Sequence, residues 1–286
     1  MAGQEHAGLA AERWLDAFRL MVGEQRTLFE STRSIAARTE YVGEIGEGGD
    51  RTLVIDAQAE DIVFAGLERL HAEGASFTAI SEERGAVVFG DGSAPDRVVI
   101  DPIDGSLNAR RTIPSFALSI AVASGPSMAD VNLGFVHDFG AGEEFTAQRQ
   151  AGAMLDGELL TARGPGYGLE LVGLEASKPE LIGPLIDGLK GKAYRCRSIG
   201  ALAITLCYVA AGRLDGMLSG RACRSVDVAA AQLIAREAGA SLIFGELSLD
   251  QAQLDLAARY AVIAGLDEKL LDALIEVQRG AAAPRS

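Results

Sequence analysis

A chain of 286 residues, 48% apolar and 23% charged, can bury a sizeable core and is not of disordered composition. Its formal charge of −14 excludes a general attraction for nucleic acid or anionic membrane, so an anionic substrate needs a cation or a local basic cluster. Cys196, Cys207 and Cys223 form no C-x-x-C pair and read as free thiols of a reducing compartment. His6, His71 and His137 stand at no ligand spacing from one another or from a cysteine, which argues against zinc.

Along the chain, the N-terminus shows early acids and no apolar core of signal-peptide length. Trp14, Leu15, Phe18, Met21 and Val22 recur at helical spacing and predict a core-facing helix over residues 10–30. Residues 31–52 are polar and glycine-rich and read as a long mobile loop, with neither a P-loop nor a dinucleotide fingerprint. A second helix is predicted over 54–70, with Asp56 near its start. Strands are predicted at 76–80, 97–100, 115–123 and 131–136, then a hairpin partner at 143–148 and a short hairpin in AGAMLDGELL.

The second half alternates: strand 169–174, helix 179–189, helix 201–211, strand 214–219, helix 227–238, strand 240–244 and an amphipathic helix over 266–278. The longest apolar run, ALAITLCYVAA, has 11 residues, too short to cross a bilayer. The expectation is one cytoplasmic domain over 1–286, with an α+β half to about residue 160 and an α/β half after it.

Acids gather at the ends of apolar segments. Glu82 and Glu83 follow one strand, Asp101 and Asp104 follow another, and Asp227 opens an apolar helix. Taken singly these are polar turns and a helix cap. Two carboxylates about 4 Å apart repel by roughly 4 kcal/mol at an effective dielectric of 20, so a cluster needs protons or a cation. Carboxylates and carbonyls without sulfur or imidazole select hard cations: magnesium, manganese or calcium.

In DPIDGS (101–106), Pro102 is expected to block the strand ladder. The Ile103 carbonyl is then open to act as a neutral ligand. Gly105 permits close approach of the backbone, and a helix starting near Ser106 would turn N–H groups toward a phosphate. The glycine position rules out an EF-hand.

Five segments taken together resemble the inositol monophosphatase family of magnesium-dependent sugar-phosphate phosphatases. They are TLVIDAQAE (52–60), SEE, DPIDGS, RSIGALAITLCYVAAGRLDG (197–216) and SVDVAAAQLIAREAGA. The resemblance implies an α/β fold, a layered α-β-α-β-α sandwich, and a homodimer. It also implies Mg2+, two or three ions, with Mn2+ as a substitute. Glu82, Glu83, Asp101, the Ile103 carbonyl, Asp104 and Asp227 resemble the metal ligands, with Glu83 beside a loosely held third ion. Asp56 and Ser106, with Glu82, resemble the group that activates and aims water. Asp104, Gly105 and Ser106 face the phosphate, and Asp50 falls in the loop that the family closes over the site.

The chain departs from the family pattern at Val226, Ala231 and Ala240, and has no glutamate in SGRACRSVD before Asp227. The missing glutamate weighs against inositol phosphate as the main substrate, while SLNARRTIP and RSVDVAAA resemble archaeal and bacterial members that accept both inositol phosphate and fructose 1,6-bisphosphate. Arg110, Arg111, Arg221 and Arg224 could meet a second phosphate, with ordinary surface charge as the alternative. Histidinol phosphate, 3′-phosphoadenosine 5′-phosphate, and a non-catalytic role in binding a phosphorylated metabolite stay open.

Overall fold

The structure, a computed structural model, describes residues 2–39, 41–45, 51–176 and 178–282. It opens with α1 (Ala2–Ser31), α2 (Ile35–Arg38), a hairpin of β1 (Tyr41–Ile45) and β2 (Arg51–Leu53), and α3 (Val54–Ala72). The stretch read as a long loop therefore holds a short helix and a paired hairpin. What pins it is non-local: the buried Arg38 guanidinium donates to the carbonyls of Phe29, Thr32 and Ala109 at 2.6–2.7 Å. Asp50 lies outside the described residues.

Next come β3 (Phe77–Ser81), β4 (Gly85–Phe89), β5 (Arg97–Asp104), α4 (Ser106–Arg110), β6 (Ala117–Ala123), β7 (Val131–Asp138), β8 (Glu143–Gln148), β9 (Gly152–Leu155) and β10 (Glu158–Leu160). They form one eight-stranded sheet in the order β10-β9-β8-β7-β6-β5-β3-β4. Its pairs are antiparallel except β3 with β5, which is parallel.

The second half supplies β11 (Leu169–Glu175), α5 (Pro179–Leu189), β12 (Ala193–Arg197), α6 (Leu202–Ala210), β13 (Gly216–Ser219), β14 (Cys223–Arg224), α7 (Ser225–Glu237), β15 (Ser241–Phe244), β16 (Arg259–Tyr260), β17 (Val262–Gly265) and α8 (Glu268–Ala282). Five of these strands make a mixed sheet in the order β12-β11-β13-β17-β15, and β14 pairs with β16.

Side-chain alternation stacks these elements into layers. Val98 and Ile100 of β5, with Leu118 and Ile120 of β6, face Phe18, Met21, Val63 and Leu67 of α1 and α3. The opposite faces carry Val99, Ala117 and Ala121, which meet α6 and α7, and these helices also cover Met217, Val262 and Ala264 of the five-stranded sheet. On that sheet's far side, Val172, Leu218 and Ile263 pack on Leu185 and Leu189 of α5 and Leu271 and Leu274 of α8. The order is α-β-α-β-α.

Every residue from Ser225 to Ala235 of α7 is buried, as a helix held between two sheets requires. Its alanines let it lie close to the sheet: a Cβ on Gly134 of β7 would stand 2.6 Å from the Ala230 carbonyl oxygen. Among the described residues, no helix is long and apolar enough to cross a membrane.

Candidate active site

Glu82 and Asp101 meet because β3 and β5 run parallel. Their register pairs Ser81 with Ile100, so the next residue on each strand is an acid at the same level. The strand does not stop at Pro102. β5 continues to Asp104 through a register shift between Asp101 and Asp104 against β6. That bulge is where a residue lacking an N–H is tolerated, and it corrects the expectation that Pro102 ends the ladder. Asp101 Oδ1 accepts the Ile103 N–H at 3.0 Å, which holds the turn's shape.

Three helix starts point at the same place. Asp56 lies in the first turn of α3. Asp227 lies in the first turn of α7, and its Oδ2 accepts the Arg224 N–H at 2.8 Å. Asp104 receives the Leu202 and Ala203 N–H groups at the start of α6, at 3.0 and 2.8 Å. The positive ends of these helices draw negative charge to this corner of the fold. The turn bearing Glu82 and Glu83 is braced from below: buried Glu60 accepts the Ser81 hydroxyl and the Arg84 N–H.

Carboxylate oxygens of Glu82, Asp101 and Asp227 all lie within 4.8 Å of one another. Asp104 stands outside that trio, committed to α6. Asp56, Glu83, Ile103 and Ser106 join Glu82 and Asp101 around a small recess. Beyond it opens a cleft of about 320 Å³, which Asp104, Gly105, Asp227, Arg221 and Arg224 also line. Arg110 and Arg111 do not line it; Arg110 ends α4 and Arg111 follows it. Arg221 is exposed, whereas Arg224 turns onto the acids, its Nη1 paired with Glu82 and its Nε 3.8 Å from Asp227.

The cleft also has a wall the sequence reading missed. Buried Glu175, at the end of β11, accepts the Ile199 and Gly200 N–H groups and the Thr205 hydroxyl. It thereby holds the turn that leads into α6. Asn108 donates to the Ser115 and Ile199 carbonyls at 2.8 Å. Glu175 carries the signal that exposed Asp101: an acid closing an apolar strand, here LELVGLE.

Burial first, then Asp104, Asp227 and Glu82, raise the Asp101 carboxyl well above the usual range. Burial pushes Glu82 up to about 7, with Arg224 opposing and Asp227 reinforcing the shift. Burial and Asp227 push Asp104 up to about 8 against its two N–H bonds. An all-oxygen cluster that resists ionisation this strongly fits a hard divalent cation, with Glu82, Asp101 and Asp227 as the gathered donors.

The sign of the pH dependence follows. A carboxyl whose pKa is raised on folding holds its proton more tightly in the folded chain, so stability falls as pH rises from the unfolded value through about 7 for Glu82 and about 8 for Asp104. A bound divalent cation replaces those protons. Thermal melts in EDTA are expected to drop between about pH 5 and about pH 8.5, while the gap to the Mg2+-loaded protein widens. A gap that stays level would show that these acids do not share a cation.

The inositol monophosphatase family model matches residues 21–281. Among known proteins, a fructose-1,6-bisphosphatase/inositol-1-monophosphatase of Thermococcus kodakarensis is 34% identical over 233 residues, covering 81% of this chain and 84% of its own. An inositol-1-monophosphatase of Mesorhizobium japonicum is 31% identical over 199 residues, 67% of this chain and 71% of its own. A crystal structure described as an inositol monophosphatase–fructose 1,6-bisphosphatase superposes with a TM-score of 0.78 at 27% identity, over 92% of this chain and 99% of that one. The matched span holds every carboxylate of the cluster, and the chain belongs to the inositol monophosphatase family.

Proposed function

We propose that this chain is a magnesium-dependent phosphomonoesterase that hydrolyses a small sugar or polyol phosphate, inositol 1-phosphate and fructose 1,6-bisphosphate among them. The observation that carries the reading is the convergence of Glu82, Asp101 and Asp227 within 4.8 Å at the wall of a cleft of about 320 Å³. Two or three Mg2+ ions, or Mn2+, held by Glu82, Glu83, Asp101, the Ile103 carbonyl, Asp104 and Asp227, would neutralise phosphoryl charge and make water acidic enough to react.

The chain's own groups do the rest. Asp56 and Ser106 take and direct the proton of the attacking water, with Glu82 at the same recess. Gly105 and Ser106 offer backbone N–H groups to the phosphoryl oxygens. Arg221, exposed in the cleft, offers a guanidinium to a second phosphate, as does Arg224 when it turns from the acids. No aromatic ring lines the cleft among the described residues, which favours a sugar over a nucleotide base.

The same reading extends to a cytoplasmic homodimer. All three cysteines are free, which suits a reducing compartment. Edge strand β12 carries Tyr194, 66% exposed, a surface suited to a second copy.

Phosphate release from a substrate panel tests the activity. Fructose 1,6-bisphosphate and inositol 1-phosphate are expected to be hydrolysed with Mg2+ and not with EDTA, and adenosine 3′,5′-bisphosphate poorly. Arg221→Ala is expected to raise KM for the bisphosphate by about tenfold, the loss of one charge-assisted contact of about 1.5 kcal/mol, and to leave inositol 1-phosphate nearly unchanged. Equal effects on both esters would remove Arg221 from the second-phosphate wall.

A further inference from the structure

We propose that Arg224 is an internal cation of this centre, competing with a divalent ion for the carboxylates of Glu82 and Asp227; the inference rests on the metal-dependent reading above. Arg224 precedes the first residue of α7, with an extended backbone at φ −79° and ψ 161°. Its main chain and side chain thus address the same acid from two directions. The N–H donates to Asp227 Oδ2 at 2.8 Å, while Nε stands 3.8 Å from Asp227 Oδ1. Nη1 pairs with Glu82 Oε1.

Glu82 and Asp227 are two of the three acids whose oxygens converge, so a guanidinium paired with them draws on the same negative charge that a cation would use. Arg224 and Glu82 are each 19% exposed in their side chains, so water screens the pair poorly. A guanidinium is always charged and carries five donors in a rigid fork. It therefore pairs with Glu82 and adds longer-range charge at Asp227, whose hydrogen bond comes from the Arg224 main chain.

Two cations at Glu82 and Asp227 would compete for the same charge. A magnesium ion needs carboxylate oxygens at about 2.0–2.1 Å in near-octahedral geometry. A guanidinium paired with the same carboxylates would sit beside it as a like charge. Loading the site thus requires Arg224 to leave. It has a place to go, because its side chain already lines the cleft beside Arg221. A rotation about its own side-chain bonds carries the charge from the acids to the open side, with α7 undisturbed.

Arg221 is the internal control. It lines the same cleft with the same charge, is exposed, and makes no ion pair among the described residues. Direct competition predicts a large effect at Arg224 and a small one at Arg221. A general electrostatic effect of the cleft predicts similar effects at both.

Binding of Mn2+ alone, followed by the EPR signal of the free ion, tests this on the full chain. Arg224→Gln is expected to bind Mn2+ at least about tenfold more tightly than wild type, equivalent to about 1.4 kcal/mol. Arg221→Gln should stay within about threefold of wild type. A second measurement needs no variant. In wild-type protein the Arg224 guanidinium N–H groups at Nη1 should exchange with water slowly without divalent ions and faster at saturating Mg2+. Unchanged or weaker Mn2+ binding by Arg224→Gln, equal gains at Arg221 and Arg224, or Nη1 protons indifferent to Mg2+ would overturn the competition while leaving the metal centre standing. Absence of Mn2+ binding by wild type and Arg224→Gln alike would overturn the metal-dependent reading itself.

Discussion

Asp101→Asn is expected to lower kcat for phosphate release by at least about a thousandfold while the protein remains folded. The size follows from removing one charge of a centre worth several kcal/mol to the transition state, at 1.36 kcal/mol per factor of ten. The folded state is spared for a specific reason. Burial first, and then the neighbouring acids, raise the Asp101 carboxyl well above the usual range, so a neutral side chain suits the site when no cation is bound. Asparagine keeps that neutral shape, and its amide oxygen can still accept the Ile103 N–H that Asp101 Oδ1 accepts at 3.0 Å.

The metal-free variant should therefore melt at or above the wild-type temperature, and Mg2+ should raise its melting temperature far less than it raises that of wild type. Circular dichroism melts with and without Mg2+, beside an assay of phosphate release, separate a catalytic loss from unfolding. Turnover within a factor of ten of wild type would remove Asp101 from the reaction.

Gly105→Ala is the substitution expected to damage fold and activity together. Gly105 sits between Asp104 and Ser106 in the left-handed region, at φ +83° and ψ 36°. A side chain there costs about 1–2 kcal/mol from backbone geometry alone. Its Cβ would stand 3.0 Å from Ala201 Cβ and the Ser115 carbonyl oxygen, and 3.2 Å from the Gly200 carbonyl oxygen. None of these neighbours is the flexible end of a long side chain, so overpacking adds about 1–3 kcal/mol.

Relief must come from moving the turn, which carries Asp104 and Ser106 with it. A misplacement on the order of 1 Å costs about a hundredfold in rate. The melting temperature should fall by several degrees, at about 2–4 °C per kcal/mol for a chain of this size. Gly142 supplies the contrast, since its φ is +74° but nothing lies within 4 Å of a Cβ built there. Gly142→Ala should show only the backbone cost and near-normal turnover. Equal behaviour of the two variants would show that crowding at Gly105 does not matter.

The residues of this chain announce much of the arrangement through local chemistry. Helix 179–189 reads directly from its proline start and apolar spacing, and α5 has those bounds. The apolar runs of β6, β7 and α6 lie close to where their patterns place them. The acids of the cluster stand out because a carboxylate at the end of an apolar segment has no place in a core without a partner.

What local pattern misses depends on distant contacts. The stretch from residue 31 to 52 looks like loop because α2 is held by Arg38, whose donors reach carbonyls as far away as Ala109. Strand β12 has the exposed, arginine-bearing sequence AYRCR and forms only because β11 lies beside it. Pro102 looks like a stop because sequence shows the missing donor and not the bulge that makes it harmless. Glu175 looks like an ordinary strand-end acid in sequence because its role is to hold the turn before α6, some 24 residues further along the chain.

By itself, the sequence determined the kind of chemistry available here: oxygen donors without sulfur or imidazole, gathered at ends of apolar segments, in a chain too acidic to hold an anion without help. Only the tertiary structure decided which acids meet. The parallel register of β3 and β5 brings Glu82 level with Asp101, the buried α7 delivers Asp227 to them, and α6 draws Asp104 aside. The reason is physical: residue type sets what a group can bind, but repulsion, desolvation and hydrogen bonding act between groups far apart in the chain, and their distances exist only after the layers have packed.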